Sequence, residues 1–128
     1  MAWRLGLIFL AGGAGCVARY GLTQAAIRLG AWGLPTGTLI VNALGCLAIG
    51  LLAVMLAGPW SVREEYRLAI LVGFLGGFTT FSTYAYETLT MAQTGQMVMA
   101  MVYFILSNAL GLLAVWLGIK LAGMVWTA

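Results

Sequence analysis

The ionisable side chains are few: Arg4, Arg19, Arg28, Arg63, Arg67 and Lys120 against Glu64, Glu65 and Glu87, with no Asp and no His. That inventory excludes a Ser-His-Asp triad and a His-ligated metal, and it leaves a carboxylate dyad only if two glutamates meet. Catalysis is not expected. Cys16 and Cys46 both lie inside apolar runs, where a thiol acts as a small hydrophobe, so no disulfide is expected. The net charge of +3 comes from scattered basic residues that flank apolar segments, as membrane-end anchors do; nucleic-acid binding is not expected.

The chemistry is therefore sought in uncharged groups. Gly76-Gly77-Phe78-Thr79-Thr80-Phe81-Ser82-Thr83-Tyr84 places two glycines and two β-branched threonines together in an apolar run. Such a pairing weakens helix propagation and predicts a break. Broken backbone at membrane depth survives only where it is buried in protein or lines a polar cavity, which points to an ion site. The competing explanation is packing: Gly73 and Gly77 form a G-x-x-x-G, and threonine hydroxyls can bond back to their own helix. Phe81 and Tyr84 are three apart and share a helical face, where ring edges could meet an anion or a neighbouring helix. Thr38 and Asn42 are one turn apart, and Asn42 either donates to an ion or joins helices. Tyr103, Ser107 and Gly111 repeat every four residues beside Asn108. That stripe reads as an anion track or as interhelical hydrogen bonding. Arg19 either snorkels or draws anions into a vestibule, and Glu87 is expected to cap or salt-bridge near a membrane end. With no acid expected inside the spans, a small monovalent anion fits better than a cation.

These groups need a membrane scaffold. The chain is 63% hydrophobic and 7% charged, against about 25% charged in soluble domains. At about 20 residues per crossing, 128 residues hold four spans and no further domain. The expected fold is all-α, a single domain over 1–128 with spans near 5–26, 36–57, 68–86 and 97–120. Arg4, an apolar run and then Ala14-Gly15-Cys16 faintly resemble a secretion signal; the segment is read as the first span. Pro35 suits the first turn of the second span, and Gly58-Pro59 marks its end. The cluster Arg63, Glu64, Glu65 and Arg67 belongs in water between spans two and three. Ala114, Gly118 and Ala122 make a ridge for close helix approach. Four crossings put Arg4, Arg63, Arg67 and Lys120 on one side and Arg28 on the other, a charge bias too small to exclude insertion both ways.

Together, G-G-F-T-T-F-S-T-Y from Gly76 to Tyr84, G-T-L-I-V-N-A-L-G from Gly37 to Gly45, and G-x-x-x-R-Y ending at Arg19 and Tyr20 closely resemble the Fluc (CrcB) family of bacterial fluoride channels. The resemblance covers essentially the whole chain. It implies an antiparallel homodimer in the cell inner membrane, two fluoride pores, and a structural sodium ion at the dimer centre. The sodium would sit on backbone carbonyls that map onto Gly76 and Thr79. The ring pair facing fluoride maps onto Phe81 and Tyr84, the asparagine onto Asn42, and the polar track onto Tyr103 and Ser107, with Thr38 alongside. Two departures stand out: the second aromatic is usually phenylalanine rather than Tyr84, and a further hydroxyl is common where Gly111 stands. The implied function is passive fluoride exit, which needs no energy-coupling residue. A small proton-coupled exporter of similar size would need a carboxylate deep in the first span, and Leu5 to Ala18 contains none. An assembly subunit without a selective site would have scattered polar residues rather than aligned ones.

Overall fold

The computed structural model describes residues 1–29, 33–58 and 60–126, with side chains of Leu29 and Trp126 excepted. The elements are helical throughout: α1 (Ala2–Leu29), α2 (Thr36–Ala57), α3 (Glu64–Leu68), a π-helical segment (Ala69–Phe74), α4 (Leu75–Phe78), α5 (Phe81–Gln93) and α6 (Met97–Trp126). No strand occurs among the described residues. Four lengths are long and apolar enough to cross a membrane: Ala2–Arg28, Thr36–Ala57, Glu64–Gln93 and Met97–Val125.

The helices outrun the apolar runs that announce them. The first begins at Ala2 rather than near residue 5, the third begins at Glu64 and reaches Gln93, and the fourth reaches Trp126. The physical reason is that backbone hydrogen bonding continues through polar residues wherever water or headgroups receive the side chains. Of the charge cluster, Glu64, Glu65 and Arg67 lie in the opening turns of the third helix, and Arg63 stands just before it. Arg4 lies 3.7 Å from Glu64 and 3.6 Å from Glu65, and Arg63 lies 3.5 Å from Glu65, so α1 and α3 are tied at one end. Pro59, half of the expected stop after α2, lies outside the described residues. At that end Gly58 N–H donates to the Val54 and Met55 carbonyls.

The turn between the third and fourth spans is made by Gly95, whose φ of 84° lies in the left-handed region. Gly95 N–H bonds the Ala92 carbonyl and Gln96 N–H the Met91 carbonyl, closing the orphan carbonyls of α5 in the Schellman manner.

Close helix approach comes from small residues, because without a hydrophobic force inside lipid, packing must supply association. On the α2–α6 seam, a Cβ at Gly118 would stand 2.7 Å from Leu51 N, and one at Gly50 would be driven into the Val115 carbonyl. Ala122 is fully buried. On the other seam, α1 rests on the π-helical segment and α4. A Cβ at Gly73 would stand 2.9 Å from Ile8 O, and one at Gly15 2.9 Å from Phe78 N. Around these seams the outer surface is apolar, with Phe9, Leu10, Val17, Val98 and Leu112 exposed.

Candidate functional site

Helical geometry stops at Thr79 and Thr80. Thr79 has φ −87° and ψ 162°, and Thr80 has φ −150° and ψ 116°, both extended. Gly76 and Gly77 remain helical in α4, so the interruption belongs to the threonines, which favour extended backbone. Gly77 serves packing instead: a Cβ there would meet the backbone of Gly12, which is the close-approach use of the G-x-x-x-G. Thr80 restarts the chain. Its Oγ1 accepts from Thr83 N–H at 3.2 Å and donates to Thr83 Oγ1 at 3.0 Å, an N-cap for α5.

The freed backbone is held from two neighbouring helices. Asn42 on α2 donates from Nδ2 to the Thr80 carbonyl at 2.9 Å and accepts Thr80 N–H on Oδ1 at 2.8 Å. An extended residue receives from this amide both bonds that a strand partner would have given it. Arg19 on α1 donates to the Thr79 carbonyl at 3.1 Å. Arg19 therefore neither snorkels freely nor stands alone; its guanidinium faces the interruption. Asn42 joins helices and uses only one of its two amide hydrogens in this pair among the described residues.

Beside the interruption lies a cavity of about 420 Å³, whose lining includes Asn42, Thr80, Phe81, Tyr84, Ser107 and Asn108. Phe81 and Tyr84 lie on it with ring centroids 5.6 Å apart and planes tilted by 58°. Their surroundings differ: Tyr84 is 7% exposed, whereas Phe81 is 77% exposed. Tyr84 packs on Tyr103 at 5.5 Å and on Phe104 at 6.4 Å. Ser107 Oγ is buried, with no partner at full hydrogen-bond geometry among the described residues and the Tyr103 hydroxyl as its polar neighbour. Gly111 lines the same cavity, and a Cβ placed there would touch Cys46 Sγ at 3.5 Å, an ordinary contact.

The family model for "CrcB-like protein, Camphor Resistance (CrcB)" matches residues 6–119. The chain belongs to the CrcB family. Among the relatives of this CrcB chain, the fluoride-specific ion channel FluC of Acidobacterium capsulatum is 44% identical over 118 residues, 87% of this chain and 89% of that one. The protein of the same name from Nitratidesulfovibrio vulgaris is 42% identical over 113 residues, 88% and 91% of the two chains. That from Solibacter usitatus is 44% identical over 117 residues, 91% and 95%.

Two expectations for this CrcB chain need correcting. Glu87 neither caps a helix nor forms an ion pair among the described residues, and the third span is not free of acid: Glu87 lies in α5 between α2 and α6. Thr38 Oγ1 donates to one carboxylate oxygen at 2.8 Å, and the fully buried Tyr103 donates to the other at 2.8 Å. Hydroxyls replace the missing cation. In consequence the expected polar groups fall into two sets. Thr38 and Tyr103 serve Glu87, near a second cavity of about 120 Å³, whereas Asn42 and Ser107 border the larger one. Sequence reasoning missed this split, although the three-residue step from Tyr84 to Glu87 was a signal that both share a face. It also missed the bond from Asn108 Nδ2 to the Tyr84 hydroxyl at 2.8 Å, which no local spacing announces.

Proposed function

We propose that this chain is the subunit of a fluoride-specific ion channel that lets fluoride leave the cytoplasm passively, down its gradient. One observation carries the reading. The interrupted third span stands beside a cavity whose lining sets hydroxyls, amides and two aromatic rings among aliphatic side chains such as Ile49, Leu71, Leu75 and Leu112, with no charged side chain, in a chain whose near-full-length relatives are named fluoride-specific ion channels. Fluoride is small and strongly hydrated, so a pathway must offer dense donors in place of water. Asn42, Ser107 and Tyr84 offer hydrogens, and the edge of Phe81 offers weak positive charge. A fixed anion would repel fluoride, and Glu87 stands outside this cavity. The chain has no Asp or His, and both oxygens of Glu87 accept hydroxyl hydrogens, from Thr38 and from Tyr103.

Further parts of the reading concern assembly. Gly76, Phe81, Ser82, Thr83 and Asn108 are each exposed on membrane-length helices. Polar groups turned toward lipid are costly, and a second copy of this chain would cover them. The small charge asymmetry between the two ends permits the copies to insert in opposite directions, which gives an antiparallel homodimer in the inner membrane. A sodium ion would be held by the Gly76 and Thr79 carbonyls of both copies, the Thr79 oxygen offering its second lone pair because Arg19 already donates to it at 3.1 Å. In support, Thr80 N–H goes to Asn42 instead of to the Gly76 carbonyl four residues back, and Gly76 is exposed. Carbonyl oxygens suit a hard monovalent cation. Bound there, the ion would neutralise carbonyl dipoles where the copies meet.

The test is efflux from liposomes holding the purified protein, read by a fluoride electrode and a chloride electrode, with no nucleotide and no proton gradient. Rapid fluoride release with chloride retained is the expected outcome. Retained fluoride, or equal release of both anions, would overturn the proposal.

A further inference from the structure

We propose that the Tyr84 hydroxyl, aimed by Asn108, donates a hydrogen bond to the passing anion and thereby sets the rate of its passage. This rests on the channel reading above. The reason is a count of hydrogens. Asn108 Nδ2 carries two, and both are placed: one on the Tyr84 oxygen at 2.8 Å, the other on the Phe104 carbonyl at 2.7 Å. The amide is therefore oriented by its own helix, and Tyr84 can only accept from it. The Tyr84 O–H hydrogen has no acceptor among the described residues, although the residue is buried and borders the larger cavity. A buried donor without an acceptor costs free energy; an anion in that cavity would relieve it. Ser107, one residue before Asn108, brings a second hydroxyl to the lining of the same space. A ring without the hydroxyl would offer edges alone, which are weaker partners than O–H for a small anion. Further along that face α6 presents Gly111, which brings no donor, and the nearby group is the Cys46 thiol, a weak one.

The experiment measures fluoride efflux from liposomes for wild type, Tyr84→Phe, Asn108→Ala, Tyr84→Phe with Asn108→Ala, and Tyr84→Phe with Gly111→Ser. Loss of a hydrogen bond to an ion predicts efflux slower by about tenfold or more in Tyr84→Phe. Asn108 is exposed within its own chain, so its truncation leaves no gap in the core of the subunit; Asn108→Ala should slow efflux too, and adding it to Tyr84→Phe should change nothing further. A Cβ at 111 meets only ordinary contact, with Cys46 Sγ at 3.5 Å, and by returning a hydroxyl to the cavity serine there should recover much of the flux lost in Tyr84→Phe. A structural role for the Tyr84–Asn108 bond predicts no such recovery. Wild-type efflux in Tyr84→Phe would overturn the proposal, as would a natively eluting serine double variant as slow as Tyr84→Phe, or additive losses with Asn108→Ala. Absence of fluoride efflux in the wild type is a separate result, and it would sink the channel reading itself.

Discussion

Asn42 meets a backbone that the helix has released, and the match is chemical as well as spatial: one donor and one acceptor against one carbonyl and one N–H. Aspartate in its place keeps the shape and the acceptor but turns a second acceptor toward the Thr80 carbonyl. Asn42→Asp should therefore cut fluoride efflux by at least about tenfold; wild-type efflux would reject the role. Phe81 poses the opposite case. It is 77% exposed within its own chain, so Phe81→Ile removes no intrachain core packing, and stability of the chain should change by less than about 0.5 kcal/mol. Flux should nonetheless collapse, because the ring edge is gone. Unchanged flux in Phe81→Ile would remove that ring from the pathway.

At the scale of elements, the third span is built to be interrupted without coming apart. The π-helical segment and α4 are pinned to α1 through glycines, the two threonines run extended, and Thr80 caps the start of α5. Gly77→Val should prevent recovery of folded protein, because any Cβ at that position strikes the Gly12 backbone. Gly21→Ala, with nothing within 4 Å of the added carbon, should elute as wild type. Equal behaviour of the two variants on size exclusion would show that the α1 seam does not hold the span. The apolar runs made the four spans legible, since lipid demands both length and hydrophobicity. Propensity pointed to Gly76–Thr80 for the interruption, yet could not divide the labour within it: glycine's weak helix preference is overridden where close packing requires the missing Cβ. Glu87 was harder to read, because its partners Thr38 and Tyr103 lie 49 and 16 residues away in sequence. Only the folded packing of α2, α5 and α6 brings them together.

For the whole molecule, the single chain leaves an exposed ring, an exposed glycine in the helical turn before the interruption and unburied hydroxyls on helices that must face lipid or a partner. The proposed pairing of two copies face to face at the interruption would cover these groups and would let the ring pairs flank narrow anion paths. Gly76 is the position to probe, because a Cβ there meets nothing within 4 Å in its own chain. Gly76→Cys, in a chain whose Cys16 and Cys46 are alanine, should be linked into a covalent dimer by a short bifunctional thiol reagent in native membranes. Efficient linking is the predicted result. A chain that stays monomeric under the reagent, while its thiol still reacts with a small monofunctional label, would contradict the meeting of the two interruptions and with it the mechanism.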